Sequence, residues 1–97
     1  MRNRYLIAYD IADDRRLRKV AKKLEDLGSR MQYSVFLVLL SNMERIQVER
    51  DLLDLVVLKE DRVMIVNLGP HTNEPFENIA FLGSNLPFTR PTGPQVF

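Results

Sequence analysis

The stretch RYLIAYDIADDRRLRKVAKKLEDLG, residues 4–28, decides the fold of this chain because it changes from strand to helix within a few residues. Residues 4–9, RYLIAY, form a short apolar run with the aromatic and β-branched residues typical of a buried strand. Beyond them, apolar residues recur at the spacing of an amphipathic helix: Leu17, Val20, Ala21, Leu24 and Leu27. The chain is therefore predicted to open with a strand followed by a helix that packs on one side.

Local signals mark both ends of this helix. Asp13 or Asp14 can act as the N-cap, because a carboxylate accepts hydrogen bonds from the free amides of the first turn. Gly28 stands where a left-handed C-cap residue is expected. The face opposite the apolar stripe carries five cations, Arg15, Arg18, Lys19, Lys22 and Lys23. Phosphate binding and simple solvation both remain open for this basic face.

The next apolar segment, residues 31–40, changes character part-way along. Met31, Tyr33, Val35 and their alternate neighbours share one face throughout, whereas the other face is polar up to Ser34 and apolar beyond it. A bend, a tight turn or a move from the edge to the centre of a sheet would each explain this change. The residues alone do not choose among them.

A second helix and a last strand follow. Ser41 and Glu44 form an S-x-x-E capping box, which predicts a helix start. An apolar line then runs along the predicted helix: Met43, Ile46, Leu53 and Val57 with Arg50 among them, joined by Leu52 and Val56. RVMIVNL, residues 62–68, reads as a strand that a Gly-Pro pair ends. Residues 78–82 are a further, short strand candidate.

The resulting βαββαβ order favours an α+β, ferredoxin-like sandwich, with one antiparallel sheet and two helices on one of its faces. We expect this domain to occupy residues 1–82 and a Pro/Gly-rich tail to occupy residues 83–97. The other face of the sheet is partly apolar, and a homodimer that packs sheet against sheet would cover it. The extra C-terminal strand could pair with an edge of its own subunit or of a partner.

Composition narrows the class of protein. A chain of 97 residues allows one domain with one modest core. The absence of cysteine excludes disulfides, thiolate zinc sites and a cysteine nucleophile. The longest apolar stretch, residues 35–40, is far too short to span a bilayer, and the basic N-terminus lacks a signal-peptide cleavage site. We therefore expect a cytoplasmic protein without a membrane partner.

Charge is unevenly distributed along the chain. The net charge is +1, but residues 1–33 carry nine Lys/Arg and five Asp/Glu, whereas residues 34–97 carry five and eight. The first third therefore has a net charge of +4 and the remainder one of −3. Such a local excess of positive charge is typical of a surface that binds a polyanion.

Asp10 is the main candidate for chemistry because it ends a buried strand. The residues alone leave two interpretations open: a functional carboxylate, or a strand-terminating Asp that hydrogen-bonds local backbone. His71 is the only histidine, so one chain cannot hold a catalytic triad or a multi-histidine metal site. Any catalysis must then rely on carboxylates and a hard cation such as Mg²⁺. Two Asp10 side chains brought together across a dimer axis would make such a site.

The ordered motifs YDI, DD-RR, RKV, KKLE and QYSVF, followed by a helix and DRVMIVNLG, resemble the small CRISPR-associated endoribonuclease family, Cas2. The resemblance covers residues 4–69. It implies a ferredoxin-like fold that dimerises through its sheets and often lends a C-terminal strand to the partner. It also implies that QYSVF spans a tight connection between two strands.

The resemblance also implies a metal site. The Asp of YDI, here Asp10, corresponds to the proposed Mg²⁺ ligand, which faces its counterpart in the dimer. A metal-dependent nuclease acting on single-stranded RNA or double-stranded DNA is therefore implied. So is the bridging of two dimers of the CRISPR integrase, Cas1, during spacer acquisition. The residue after QYSVF is often acidic in this family, and here it is Leu37, which removes one polar group near the cleft.

Our expectation is a CRISPR adaptation protein that binds double-stranded nucleic acid as a homodimer, with Mg²⁺-dependent endonuclease capacity at paired Asp10. The expected phosphate contacts are Arg15, Arg16, Arg18, Lys19, Lys22 and Lys23. Two alternatives stay open: a non-catalytic DNA-binding adaptor between integrase dimers, and a toxin-like ribonuclease of the same fold. The tail is either a docking segment or a frayed terminus.

Overall fold

Six elements follow one another in the predicted βαββαβ order. A computed structural model describes residues 1–83 of the chain. The elements are β1 (Asn3–Asp10), α1 (Asp14–Glu25), β2 (Gly28–Gln32), β3 (Val35–Leu40), α2 (Asn42–Leu55) and β4 (Arg62–Pro70). The four strands form one antiparallel sheet in the order β2-β3-β1-β4. The ferredoxin-like class is thereby confirmed. No helix among these residues is long and apolar enough to cross a membrane.

The main core lies between the sheet and both helices. Tyr5, Ile7 and Tyr9 of β1 point into it because side chains alternate between the two faces of a strand. The helices contribute their buried residues to the same cluster: Val20 and Leu24 from α1, Val48 and Leu52 from α2. Both helices therefore cover one face of the sheet, and the predicted apolar stripe of α1 is confirmed.

The turn between β2 and β3 explains the change of face near Ser34. Tyr33 and Ser34 form a two-residue turn, so the segment is two strands rather than one. Met31 and Leu37 then pack together on the helix-free face, whereas Phe36 belongs to the main core. Of the three explanations that the residues allow, the structure has the tight turn.

Gly28 does not cap α1, and this prediction was wrong. The helix ends with Asp26 in a right-handed conformation, and Gly28 is the first residue of β2. A Cβ at this position would lie 2.2 Å from the Leu37 carbonyl oxygen and 2.6 Å from Val38 Cγ1. Glycine is needed here because the neighbouring strand passes too close for a side chain.

The capping box of α2 is confirmed, but the predicted apolar line of this helix is not its buried face. Ser41 Oγ accepts from Glu44 N, and a Glu44 carboxylate oxygen accepts from Ser41 N. The side chains that point to solvent are Met43, Ile46, Leu53 and Val57. Leu52 and Val56 do pack on the core, together with Val48 and Leu55. The helix is apolar on both sides, so its periodicity could not tell which side the sheet would cover.

The chain covers part of the helix-free face itself. Phe76 and Ile79, which follow β4, pack against a second cluster around Met31 and Leu37. Residues 78–82 form no strand within the described part of the chain, so of the two alternatives for the extra strand, pairing within its own subunit is not observed there. Pairing with a second copy stays a prediction, and residues 84–97, nearly all of the predicted tail, lie outside the described residues.

A buried arginine fastens this covering segment to the sheet. Arg4 in β1 is only 2% exposed and faces the helix-free side. Its Nη1 donates to the carbonyl oxygens of Pro75 and Glu77, at 3.2 and 2.7 Å. Its Nη2 donates to the Leu68 carbonyl oxygen in β4 at 2.9 Å. Arg4, Phe76 and Ile79 therefore hold the segment after β4 against the sheet. Asp10 lies at the other end of β1 from Arg4.

Candidate functional site

Asp10 is the last residue of β1 and is exposed to solvent. By strand alternation it shares the helix-free side with Leu6 and Ala8, away from the main core. In the antiparallel pairing with β4, its cross-strand neighbour is Arg62, which is also exposed. A carboxylate and a guanidinium are thus presented side by side at one end of the sheet.

The Asp10 side chain has no partner in the part of the chain that the structure describes. Among residues 1–83 its carboxylate takes part in no hydrogen bond or ion pair. The local-backbone role that a strand-terminating Asp often has is therefore not observed in the described part of the chain. A free, exposed carboxylate is available to a cation, which keeps its predicted role as a metal ligand open to experiment.

The carboxylates of Asp13 and Asp61 accept hydrogen bonds from the backbone between Asp10 and the first turn of α1. Asp13 is the N-cap of α1, since its Oδ2 accepts from Arg16 N at 3.0 Å. This backbone hydrogen bond lowers the pKa of the Asp13 carboxyl. Asp61, just before β4, accepts from Ala12 N at 3.0 Å. Of the two N-cap candidates the structure has Asp13, and Asp14 lies in the first turn, where its charge suits the helix dipole.

The structure divides the predicted phosphate-binding residues into free and paired cations. Arg15, Arg18 and Lys19 are exposed and form no ion pair with residues 1–83. Lys22 Nζ lies 3.9 Å from Asp26 Oδ1, and both side chains are mostly exposed, so this ion pair is weak. These four residues form the free basic face of α1.

The remaining two cations are engaged inside the chain. Lys23 Nζ lies 2.7 Å from a carboxylate oxygen of Asp51 in α2. Arg16 binds Asp61 through Nε at 2.8 Å and Glu60 through Nη2 at 2.9 Å. These ion pairs raise the pKa of Arg16 and direct its guanidinium toward the start of β4. Its predicted contact with phosphate would have to compete with these carboxylates.

A single chain could offer one carboxylate, that of Asp10, to a metal at this position. No group of three or more His, Cys, Asp or Glu side chains that could hold a metal ion occurs among the described residues. Mg²⁺ nevertheless binds through one or two carboxylates when water and substrate phosphate complete its shell. The free carboxylate of Asp10 fits such a site, provided that a second copy or a bound nucleic acid supplies the other oxygens.

Sequence reasoning missed several residues that surround Asp10. A cavity of about 480 Å³ lies beside it; its lining includes Tyr9, Arg30 and Tyr33, which were missed, and Arg18, which was predicted as a phosphate contact. Arg30 donates to Glu25 at 3.0 Å and lies over the Phe36 ring, 5.0 Å from its centroid. The tip of QYSVF, Tyr33 and Ser34, was the signal available in the sequence, because a tight turn there brings its side chains back toward the end of β1.

The family model for CRISPR associated protein Cas2 matches residues 2–74. A CRISPR-associated endoribonuclease Cas2 from Synechocystis is 37% identical over 89 residues, which is 92% of this chain and 92% of the relative. The chain belongs to the Cas2 family. A second Cas2 endoribonuclease, from Rhodospirillum rubrum, is 51% identical over 63 residues, which is 65% of this chain and about half (51%) of the relative.

A solved structure extends this Cas2 similarity to the fold. The structure is described as a partial Cas6-RT-Cas1–Cas2 complex, and one of its chains superposes with a TM-score of 0.65 and 25% identity. The match covers 87% of this chain and 96% of that one. The Cas2 fold, the exposed Asp10 and the basic face of α1 thus occur together in one chain.

Proposed function

We propose that this Cas2-family chain is a cytoplasmic CRISPR adaptation protein that cleaves phosphodiester bonds with Mg²⁺ as a homodimer. The observation that carries the proposal is the Asp10 carboxylate, exposed at the end of β1 and free of partners within residues 1–83. The Cas2 relatives described above are named endoribonucleases. Two Asp10 residues, one from each copy, would hold the metal between them.

Dimerisation through the helix-free face would bring the two carboxylates together. Asp10 and Ala8 lie on the part of this face that Phe76 and Ile79 leave uncovered. Met64 of β4, the cross-strand neighbour of Ala8, is 53% exposed there. A second copy packed on this surface would bury Met64 and place apolar contacts around the charged end of the sheet.

The metal ion and the protein side chains would have different roles in cleavage at this site. When bound, Mg²⁺ supplies a water of lowered pKa and neutralises charge on the scissile phosphate. Asp10 would hold the cation through a carboxylate oxygen. Arg62, directly across from Asp10, would offer positive charge to the neighbouring phosphate. Neither role needs a histidine or a cysteine, in agreement with the composition of the chain.

The free basic face of α1 would bind the nucleic-acid backbone. Its residues Arg15, Arg18, Lys19 and Lys22 project from a helix that begins four residues after Asp10, so bound backbone would pass close to the metal site. Arg16 and Lys23 are paired with carboxylates and would contribute less. Contacts of this kind carry no sequence information, and both RNA and DNA fit them.

The proposal is tested by cleavage of single-stranded RNA and duplex DNA, in Mg²⁺ and in EDTA. Wild type is compared with Asp10→Asn, which keeps the shape of the side chain and removes its charge. Asp54→Asn is the matched control, because Asp54 is exposed on α2 and has no partner among the described residues. Circular dichroism and sedimentation should first show that all three are equally folded and equally associated.

Cleavage that requires Mg²⁺, survives Asp54→Asn and falls at least a hundredfold in Asp10→Asn would support the nuclease, and the better substrate would name its target. Equal cleavage by wild type and Asp10→Asn would reject Asp10 as the metal ligand. An absence of cleavage by a folded wild-type dimer would reject the nuclease altogether.

A second candidate function is a non-catalytic adaptor that bridges Cas1 dimers. The structural similarity to a chain in a Cas1–Cas2 complex favours it, and the free basic face of α1 would then contact DNA between the integrase copies. Cas1 binding and spacer integration that are unchanged in Asp10→Asn would support the adaptor. Deleting residues 87–97 tests whether the tail docks on Cas1, and unaltered Cas1 binding by the truncated chain would reject that role.

A further inference from the structure

The cavity next to Asp10 combines an apolar floor with polar walls. It has a volume of about 480 Å³, enough for a nucleobase, and lies between the end of β1, helix α1 and the β2–β3 turn. Ile11, Leu17 and Ala21 supply the apolar surface. Among residues 1–83, Asp10 is its only lining carboxylate, whereas Arg18 and Arg30 contribute positive charge. Few precisely placed polar groups around an apolar surface are typical of a ligand site.

Tyr33 gives this cavity an exposed aromatic wall. Its side chain is 77% exposed, and its ring stacks on no other ring among residues 1–83. The backbone that carries it is nevertheless fixed to β1. Tyr9 Oη donates to the Tyr33 carbonyl oxygen at 3.3 Å, and Tyr9 N donates to the Ser34 carbonyl oxygen at 3.0 Å. An aromatic ring on a fixed turn is preorganised to stack with a ligand at small entropic cost.

The two arginines of the cavity differ in whether their guanidinium groups are free to bind a ligand. Arg30 is engaged by Glu25 and by the ring of Phe36, so it serves as a wall of fixed position. Arg18 is exposed and forms no ion pair within the described residues. A phosphate linked to the occupant of the cavity would find Arg18 on the free basic face of α1. Asp10 also lines this cavity.

We propose that this cavity binds one unpaired nucleobase of the bound strand, stacked on Tyr33, while the adjoining backbone passes between Arg18 and Asp10. This inference rests on the proposed function and adds a substrate class to it. A base in the cavity must be unstacked from its neighbours and unpaired from a complementary strand. The site therefore selects single-stranded RNA or DNA, or the frayed end of a duplex, over intact double helix.

Binding in EDTA tests the cavity without requiring cleavage. The probes are a fluorescein-labelled single-stranded 12-mer RNA and a labelled blunt-ended DNA duplex of the same length, with G·C pairs at both ends to limit fraying. Tyr33→Ala should weaken single-strand binding about tenfold, because it removes the aromatic side chain on which the base stacks. Duplex binding, which depends on the free basic face of α1, should change less than twofold.

Two matched variants separate stacking from other effects. Tyr33→Phe keeps the ring and should bind the single strand like wild type. Met43→Ala removes a side chain of similar exposure, 75%, on α2 and should alter neither probe. Equal losses for single strand and duplex in Tyr33→Ala, or a loss in Met43→Ala as large, would overturn the proposal. An altered self-association constant with unchanged single-strand binding would likewise overturn it, by making Tyr33 a contact between protein chains.

The outcomes for the cavity and for the nuclease are distinguishable. If Asp10→Asn cleaves like wild type but Tyr33→Ala loses single-strand affinity, the nuclease assignment fails and the base-binding cavity stands. If cleavage requires Asp10 and Mg²⁺ while Tyr33→Ala binds and cleaves single-stranded RNA normally, the nuclease stands and the cavity proposal fails.

Discussion

Arg16 and Asp61 lie 45 residues apart in the chain and form a two-point ion pair, with Nε 2.8 Å from Oδ2 and Nη2 3.1 Å from Oδ1. The Asp61 side chain is fully buried and also accepts from the amides of Ala12 and Val57. One carboxylate thus joins the first turn of α1, the connection after β1 and the end of α2. It holds in place the loop that follows Asp10.

The Arg16–Asp61 pair predicts a loss of stability in acid. Arg16, aided by the two amides, holds the pKa of the Asp61 carboxyl well below its ordinary value of about 3.9. A carboxyl whose pKa is lowered by folding stabilises the protein above its unfolded pKa, and this stabilisation is lost as the pH falls toward the folded pKa. The free energy of unfolding should therefore decrease below about pH 4.

Urea unfolding of wild type and Asp61→Asn at pH 7 and pH 3 measures this effect. The variant should be less stable at pH 7 and should lose less stability than wild type on acidification. It should still lose some, because Arg2 lowers the pKa of Glu44 to about 2 and adds to the same pH window. Asp54→Asn serves as the control with wild-type behaviour. An equal acid loss in Asp61→Asn and wild type would contradict the role of Asp61.

Gly28→Ala should destabilise the sheet. The added Cβ would meet the Leu37 carbonyl oxygen, a backbone atom of the adjacent strand, at 2.2 Å. Relief requires a shift of β2 against β3, and overpacking of this kind costs about 1–3 kcal/mol. Thermal or urea unfolding should show this decrease, while Ser29→Ala on the next residue of β2 should remain within about 0.5 kcal/mol of wild type. Wild-type stability in Gly28→Ala would show that the strands can separate freely.

Ser41→Ala should destabilise the start of α2 by about 1 kcal/mol, because the amide of Glu44 loses its acceptor. Ser41→Asp should recover most of this loss, since Asp is also a good N-cap and its charge suits the helix N-terminus. Both are measured by chemical denaturation. A Ser41→Asp variant as unstable as Ser41→Ala would indicate that the capping box is not what the substitution disrupts.

Replacement of a cation on the free basic face of α1 should change the salt dependence of nucleic-acid binding. Arg18→Gln should weaken duplex and single-strand binding at low salt and reduce the slope of log K against log [salt] by about 1. Arg50→Gln removes an exposed arginine of α2 that has no partner among residues 1–83, and it should leave the slope unchanged. Titrations at several salt concentrations check both. An unchanged slope in Arg18→Gln would remove this residue from the binding surface.

Arg16→Gln separates the two kinds of cation found on α1. Because Arg16 is bound by Asp61 and Glu60, its replacement should lower the free energy of unfolding and leave the salt slope nearly unchanged. Arg18→Gln should reduce the salt slope and leave the free energy of unfolding nearly unchanged. If both variants changed the slope equally and neither changed stability, the division into free and paired cations would be wrong.

Local patterns in the sequence were sufficient for much of this protein. The stripe from Leu17 to Leu27, the acidic N-cap and the Ser41–Glu44 box depend on contacts within one helix, so spacing alone predicted them. The apolar run of residues 4–9 likewise placed Asp10 at a strand end. These features follow from the fixed periods of helix and strand and from the free amides of a first turn.

Tertiary structure decided the features that depend on residues distant in the chain. Gly28 looks like a helix cap until Leu37 approaches it, and α2 offers two apolar sides until the sheet covers one. Arg16 and Arg18 were both predicted to contact phosphate, but Asp61 pairs with Arg16 and not with Arg18. Packing and strand register determine which charges stay free and what surrounds Asp10. Local spacing is compatible with several arrangements of these side chains, and long-range contacts determine which one forms.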